Sequence, residues 1–454
     1  MQTFGAYLVA LLAASAELAT ALPQRMDLVK ARHGGGTLSV PVKRNTATTK
    51  KHPAMALARV YAKYGKEMPT RLRVIVDAQL APVAVTRSPS QGTVVNSPVD
   101  YDVEYLANIQ IGTPAQTLPM NFDTGSSDLW VFSGVTAASD VNGQTLYYPG
   151  KSSTAEKMAG YTWQISYGDG SSSSGDVYTD TVTIGNLTVS SQAVEAATTV
   201  SSEFTSDTEM SGLVGLGFSS INTVSPKAQK TFFDNAMASL DQPLFTADLK
   251  HNADGSYNFG YIDSTAYTGE MYYADLYNVS ASYSGYWTFQ STGYAVGDGS
   301  TTTTTTSSTG NTGSSSTSSG SGSIEKRAVT LTSTTITGIA DTGTTLLMLP
   351  DEIVSAYYSQ VSGAEDSETE GGYVFSCDQT LPDFTFAVGN GQITIPGDYI
   401  NWAPVDTQNT TCYGGLQSDA DIGLSIFGDV ALKAALVVFD GGNKRVGWAA
   451  KTTS

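Results

Sequence analysis

Hydrophobic residues in this chain fall mostly in short groups divided by Gly-, Ser- and Thr-rich stretches, and few segments are long, charged and Ala/Leu-rich as helices are. The alternating segment 104–112 and the residues leading to Phe122 read as strands flanking a turn at Thr113-Pro114. Two windows carry helical spacing. Phe232, Phe233, Met237 and Leu240 mark one within 226–240, and 350–358 forms the other, with Pro350 at its first turn and acids beside it. Ahead of all this lies an apolar run, Tyr7 to Ser15, followed by Ala19-Thr20-Ala21, the small-x-small form of a signal-peptidase site. The alternative for that run is a buried terminal helix. The other outlier is 299–328, where Ser, Thr and Gly leave nothing to bury in a core.

Composition sharpens this into a β-rich reading. The 454 residues include 45 Gly and are 40 % hydrophobic, enough for one large core or two medium ones. A net charge of −18 excludes the basic footprint of a nucleic-acid binder. The charge is also divided. Residues 1–100 hold 13 Lys+Arg against 5 Asp+Glu, and the remainder holds 11 against 37. A basic leader before an acidic body suggests a pro-segment, here 22–92 after a signal peptide 1–21, held by attraction that acid would weaken. A basic arm with another partner is the competing explanation. No other stretch approaches a membrane span, and the C-terminus lacks a lipid-anchor tail, so the expected product is secreted without a membrane anchor. In that setting the sequons at Asn186, Asn278 and Asn409 are glycan acceptors.

Candidate chemistry comes from an internal repeat. Phe122-Asp123-Thr124-Gly125-Ser126 recurs as Ala340-Asp341-Thr342-Gly343-Thr344. Each copy is followed by two apolar residues and a glycine, Leu213-Val214-Gly215 and Ile426-Phe427-Gly428, with Gly215 92 residues after Asp123 and Gly428 87 after Asp341. One Asp-Thr-Gly is usually a surface turn; two at matched spacing describe two lobes, each delivering a carboxylate. Two carboxylates face to face cannot both ionise cheaply, so one keeps a proton. The ionised member then takes a proton from water while the other polarises a carbonyl. Gly125 and Gly343 permit close approach of the loops, Thr124 and Thr342 can bond across the junction, and Ser126 and Thr344 can orient the outer carboxylate oxygens.

On these motifs, nearly all of 101–454 resembles the pepsin-like aspartic endopeptidases, most closely their secreted fungal branch of penicillopepsin- and aspergillopepsin-like enzymes. The resemblance implies an all-β bilobal fold, two barrel-like lobes (93–270 and 271–454) around a cleft, with a few short helices. It implies Asp123 and Asp341 as the catalytic pair, and a flap hairpin tipped by Tyr167 and Gly168 with Trp130 supporting the tyrosine. Read without the family, 167–170 is simply a hairpin turn. Asp169 on that flap is expected to accept a Lys before the scissile bond, the alternative being a solvent-exposed turn residue. Cys377 and Cys412 are expected to pair within the C-terminal lobe. Protein and peptide substrates, inhibition by the chain's own pro-segment through Lys63 or Lys66, a monomeric state, and no cofactor or metal complete the expectation.

The insertion 299–328 departs from the family pattern. It ends at Lys326-Arg327, a dibasic site at which the chain would be nicked; a mispredicted exon boundary explains it equally. Other classes fit less well. The single His after residue 100, His251, reads as part of a surface turn and leaves no base for a serine or cysteine nucleophile and little for zinc. Glycoside hydrolysis uses paired carboxylates but does not require twin loops. A non-catalytic binding or inhibitor protein of the same fold is the main competitor.

Overall fold

The structure is a computed structural model that describes residues 37–44, 52–80, 101–166, 172–277, 284–297 and 329–451. The expected Ala21, Lys326-Arg327, Asn278 and flap-tip positions Tyr167, Gly168 and Asp169 lie outside these residues. The described residues form two lobes built almost wholly of strands.

The first lobe begins with Tyr105–Ile111 and Gln116–Asp123, the antiparallel pair expected around Pro114. Asn108 and Gln110 face solvent while Leu106, Ala107, Ile109 and Ile111 are buried, the alternation of a strand with one wet face. Outward from Gln116–Asp123 come Gly212–Gly215, Leu129–Val131, Leu187–Thr199, Ser172–Ile184 and Glu156–Ser166. Residues 110–111 of the first strand also pair with 182–183, which curls the sheet toward a barrel. Glu156–Ser166 and Ser172–Ile184 form a hairpin whose last described pair is Ser166 with Ser172.

The second lobe repeats the plan. Its seven-stranded sheet carries Thr332–Ala340, Ser425–Phe427, Leu347–Leu349 and Leu416–Ser418 in that spatial order. The first lobe has the same four-strand unit: Gln116–Asp123, Gly212–Gly215, Leu129–Val131 and Leu187–Thr199. In each, the aspartate-bearing strand lies parallel to the strand of the downstream apolar-apolar-Gly signal. That strand in turn pairs antiparallel with the segment after the catalytic loop. The repeat in sequence is therefore a repeat in topology. In a separate four-stranded sheet, Glu365–Ser367, Gly372–Ser376, Thr411–Gly414 and Asn401–Pro404, the Cys377–Cys412 disulfide ties the two central strands.

The lobes share strands. Ala435–Asp440 and Arg445–Ala450, near the C-terminus, pair into the sheet of Leu244–Lys250 and Ala253–Phe259. The division drawn at 270/271 falls inside this shared sheet, beside Met271–Asp275. Stacked rings of Phe245 and Phe439, 4.7 Å apart, and Trp287 against both, fill the space beneath it.

The leader is folded onto this frame. Its strand Leu38–Arg44 pairs with Ala253–Phe259 along most of its length, and at its end with Tyr105 and Leu106. Two helices follow, α1 (Ala54–Lys63) and α2 (Thr70–Leu80). Met55, Leu57, Val60 and Tyr61 of α1 are buried against Leu346, Met348, Trp402 and Ile426 of the second lobe. The short helix expected within 226–240 forms at its centre. Only Phe232–Ala236 is α-helical, followed by a 3₁₀ turn, because Thr231 caps it by accepting the Asp234 amide and the preceding Gln229 amide bonds Asn222 instead. The helix after Pro350, Asp351–Tyr358, forms as expected.

Candidate active site

Each Asp-Thr-Gly loop leaves a strand whose last residues, 120–123 and 338–340, are buried, and the two loops meet at the lobe junction. Thr124 Oγ1 donates to the Ala340 carbonyl at 2.8 Å and accepts the Thr342 amide at 3.0 Å. Reciprocally, Thr342 Oγ1 donates to the Phe122 carbonyl at 2.6 Å and accepts the Thr124 amide at 3.1 Å. Four hydrogen bonds with no water access thus hold one loop against the other. The glycines permit that approach. A Cβ on Gly125 would lie 2.5 Å from Asp341 Oδ1, and one on Gly343 would lie 2.3 Å from Asp123 Oδ1.

The carboxylates are oriented in parallel fashion. Asp123 accepts the Gly125 amide at 2.8 Å and the Ser126 hydroxyl at 2.6 Å. Asp341 accepts the Gly343 amide at 3.0 Å and the Thr344 hydroxyl at 2.5 Å. Both side chains are essentially inaccessible to water. Symmetry stops at the leader. Lys63 Nζ donates to Asp123 Oδ1 at 2.7 Å and to both oxygens of Asp341 at 2.8 Å, and the Tyr64 hydroxyl donates to Asp341 Oδ2 at 2.5 Å. Of the two lysines expected to block the pair, Lys63 is the one that reaches it; Lys66 makes no ion pair among the described residues.

The electrostatics follow the donors. Burial pushes Asp123 up, against Lys63, with the charge of Asp341 adding to the rise. Burial acts the same way on Asp341, but Lys63, Thr344 and Tyr64 together outweigh it and hold it below the ordinary carboxylate range. Burial would lower Lys63, yet the two carboxylates keep it charged, and Tyr64 is pushed well above its usual value. With Lys63 and Tyr64 in place, the result is one carboxyl that favours its proton beside one that favours ionisation.

Beyond the dyad, Trp130 is buried in a cluster with Phe132, Trp163 and Phe204, next to the hairpin that carries the expected flap. Leader contacts extend on both sides of the pair. Arg59 meets Asp207 of the first lobe at 3.5 Å, while His52 reaches Glu370 at 2.7 Å and Arg71 reaches Asp366 at 2.9 Å in the second. Tyr64 was not anticipated; adjacency to Lys63 was the available signal. His251 does sit in a turn, but its ring also joins a charged cluster instead of merely facing solvent: His251 Nδ1 and Lys433 Nζ lie 2.9 and 3.0 Å from Asp102, holding it down to about 2 despite burial. Among the described residues no group of three His, Cys, Asp or Glu side chains could hold a metal ion, and no helix is long and apolar enough to cross a membrane.

A cleft floor of two face-to-face aspartates on symmetric loops defines a two-carboxylate peptidase. The chain belongs to the eukaryotic aspartyl protease family, whose model matches residues 104–328 and 317–451. It is 50 % identical over 442 residues to endothiapepsin of Cryphonectria parasitica, covering 92 % of this chain and 97 % of that one. It is 45 % identical over 436 residues to podosporapepsin of Podospora anserina, covering 95 % and 94 %, and 46 % identical over 413 residues to penicillopepsin-3 of Penicillium janthinellum, covering 91 % and 92 %. Among solved structures it resembles the aspartic proteinase from Irpex lacteus, with TM-score 0.58 and 25 % identity over 77 % of this chain and 95 % of that one. The chain is thus an aspartic-type endopeptidase.

Proposed function

We propose that the protein is a secreted acid endopeptidase made as an inactive precursor, in which Asp123 and Asp341 activate water and polarise the scissile carbonyl, and Lys63 holds them idle until acidification. The observation that carries this is Lys63 Nζ within 2.8 Å of both carboxylates, in the place where a water would be activated. In the peptidase step the ionised aspartate takes a proton from water as its oxygen adds to the peptide carbon. The protonated partner hydrogen-bonds the carbonyl oxygen as negative charge develops there. Collapse of the tetrahedral species returns a proton to the departing amine and regenerates one shared proton on the pair.

The sign of the pH dependence follows from the shifts. Asp341, held below the ordinary carboxylate range, supports leader docking above that range and loses it as pH falls through its lowered value. Asp123, pushed up by burial, takes its proton first, so Lys63 loses one partner before the other. The apolar face of α1 is unaffected by acid, and each buried Leu or Val is worth about 1.5–3 kcal/mol. Acid therefore loosens the leader at the dyad, and cleavage between about Arg87 and Tyr101 completes its removal. Substrates are proteins and peptides with large apolar residues flanking the scissile bond, with Asp169 accepting Lys before it. Asn186 and Asn409, both exposed, carry glycans in a secreted monomer.

The test is hydrolysis of a protein substrate by purified precursor moved from about pH 7 to about pH 3.5, where such a pair shares one proton. Activity should appear with loss of the leader, yield to a statine-type inhibitor that mimics the tetrahedral intermediate, and be absent from Asp341→Asn. A folded, leader-free chain without hydrolysis would move the reading to a non-catalytic binding protein of the same fold.

A further inference from the structure

Directly behind the first catalytic loop lies a second pair of acids that the peptidase chemistry does not use. Asp128, five residues after Asp123, and Glu195, on Leu187–Thr199, are 3 % and 1 % exposed. Strand register places Glu195 opposite Trp130. The two side chains hydrogen-bond each other, which requires a proton on one of them. The Asn222 amide bridges them, donating to Asp128 Oδ1 at 2.8 Å and to Glu195 Oε1 at 2.9 Å. Thr223 adds its amide, at 2.8 Å, and its hydroxyl to Asp128. Glu195 Oε2 accepts no N–H group among the described residues.

Among the described residues no cation offsets this pair. The charged groups acting on Asp128 are Glu195 and Asp123, and the one acting on Glu195 is Asp128, all of the same sign. Among the described residues no ion pair includes either. Asp102 is the useful contrast: a buried carboxylate with Lys433 and His251 beside it keeps its charge easily. A buried pair with only neutral donors costs least with both members protonated, and more as each proton is lost.

The pair is also wired to the active site. The Asp128 carbonyl accepts the Gly215 amide at 2.9 Å, and Gly215 is the residue paired with Asp123 across the parallel ladder. Asn222 simultaneously donates to the Ser127 carbonyl at 3.1 Å. Movement of the Asp128 side chain therefore disturbs the loop that positions Asp123.

We infer that the Asp128–Glu195 pair is a proton-dependent lock on the first catalytic loop, which holds the N-terminal lobe together in acid and releases it near neutral pH. Its consequence rests on the acid-peptidase reading. In the precursor the leader ties both lobes and offsets the strain at neutral pH. Once the leader is gone, a rise in pH inactivates the enzyme by loosening this lobe, separately from ionisation of the dyad.

The physical sign is fixed by burial. Burial first, only partly opposed by Thr223 and Glu195, raises Asp128 to about 6, and burial with the Asp128 charge raises Glu195 well above its ordinary value. Folded-state values above the unfolded ones mean that the native chain holds extra protons, so stability is greatest below the unfolded values of 3.8 and 4.5 and declines as pH rises through the folded ones.

The experiment is calorimetric unfolding of the full chain and of Asp128→Asn and Glu195→Gln, each kept uncleaved by an added Asp341→Asn, from about pH 4 to about pH 7.5, with proton release at about pH 6 read from buffers of different ionisation enthalpy. Both substitutions are isosteric amides and mimic the neutral form. The wild type should lose stability steeply across this range and release about one more proton on unfolding than either variant. Each variant should flatten the decline, with unfolding at about pH 7.5 slowed about tenfold, the equivalent of one pKa unit. Equal slopes and equal proton release in all three chains would overturn the lock. So would a variant that fails to fold at about pH 4, where the wild-type pair is already neutral and an amide must be tolerated. None of these readings measures hydrolysis, so they stand apart from the peptidase reading.

Discussion

The two catalytic loops are nearly the same object built twice, yet they hold their protons differently. Asp123 and Asp341 each accept a glycine amide and a hydroxyl three residues on, and each threonine grips the opposite strand. Difference enters from outside the repeat. Lys63 reaches one oxygen of Asp123 but both of Asp341, and Tyr64 adds a fourth donor to Asp341 alone. Behind the loops the lobes diverge again, because Asp128 and Glu195 underlie the first and Asp429 with Lys433 lies by the second. A duplicated scaffold supplies the geometry of the pair, and the residues around it decide which carboxyl carries the proton.

The largest effect should come from breaking the pair itself. Asp123→Asn and Asp341→Asn, each measured with the leader removed, should both lower kcat about 10³-fold or more with little change in KM, since either loss removes half of a shared acid–base system. A variant that kept most of its activity would show that one loop works alone. Next are the glycines. Gly125→Ala and Gly343→Ala each drive a Cβ to 2.5 Å or less from the opposite carboxylate, and should cost about 100-fold in kcat through misplacement of the pair. Unequal losses would show which loop gives way. Smaller again, Thr124→Val and Thr342→Val each strand a buried amide and carbonyl, and should lower stability by about 2–4 kcal/mol in denaturant unfolding. Near-equal values would confirm that the grip is as symmetric in energy as it is in distance.

What was legible in the sequence was whatever is local and repeated. Asp-Thr-Gly followed at matched spacing by two apolar residues and a glycine maps onto strand, loop and parallel partner strand, because the motif encodes a tight loop and the ladder that supports it. The pairing of Cys377 with Cys412 was readable for the simpler reason that no other cysteine exists. Choice between Lys63 and Lys66 was not readable. It depends on where α1 ends: Lys63 closes that helix, and Gly65, at φ +62, turns the chain before Lys66. The Asp128–Glu195 and Asp102–His251–Lys433 clusters join residues 67 to 331 positions apart, and no periodicity records such meetings. Where the short helix within 226–240 begins was not readable, because apolar spacing ignores competing caps: the Gln229 amide is taken by Asn222 and that of Asp234 by Thr231.

The central claim is that a complete catalytic pair already exists in the precursor and is held idle by one ammonium group. Lys63→Ala tests it most directly, by hydrolysis of a quenched peptide substrate with uncleaved precursor as pH is lowered in steps. The account predicts that this variant cleaves peptide at a pH at least one unit higher than the wild type does, before any loss of the leader by mass, because neither carboxylate then needs to shed a lysine. A variant that stays silent until its leader is cut, at the same pH as wild type, would contradict it and place the block in the apolar seating of α1.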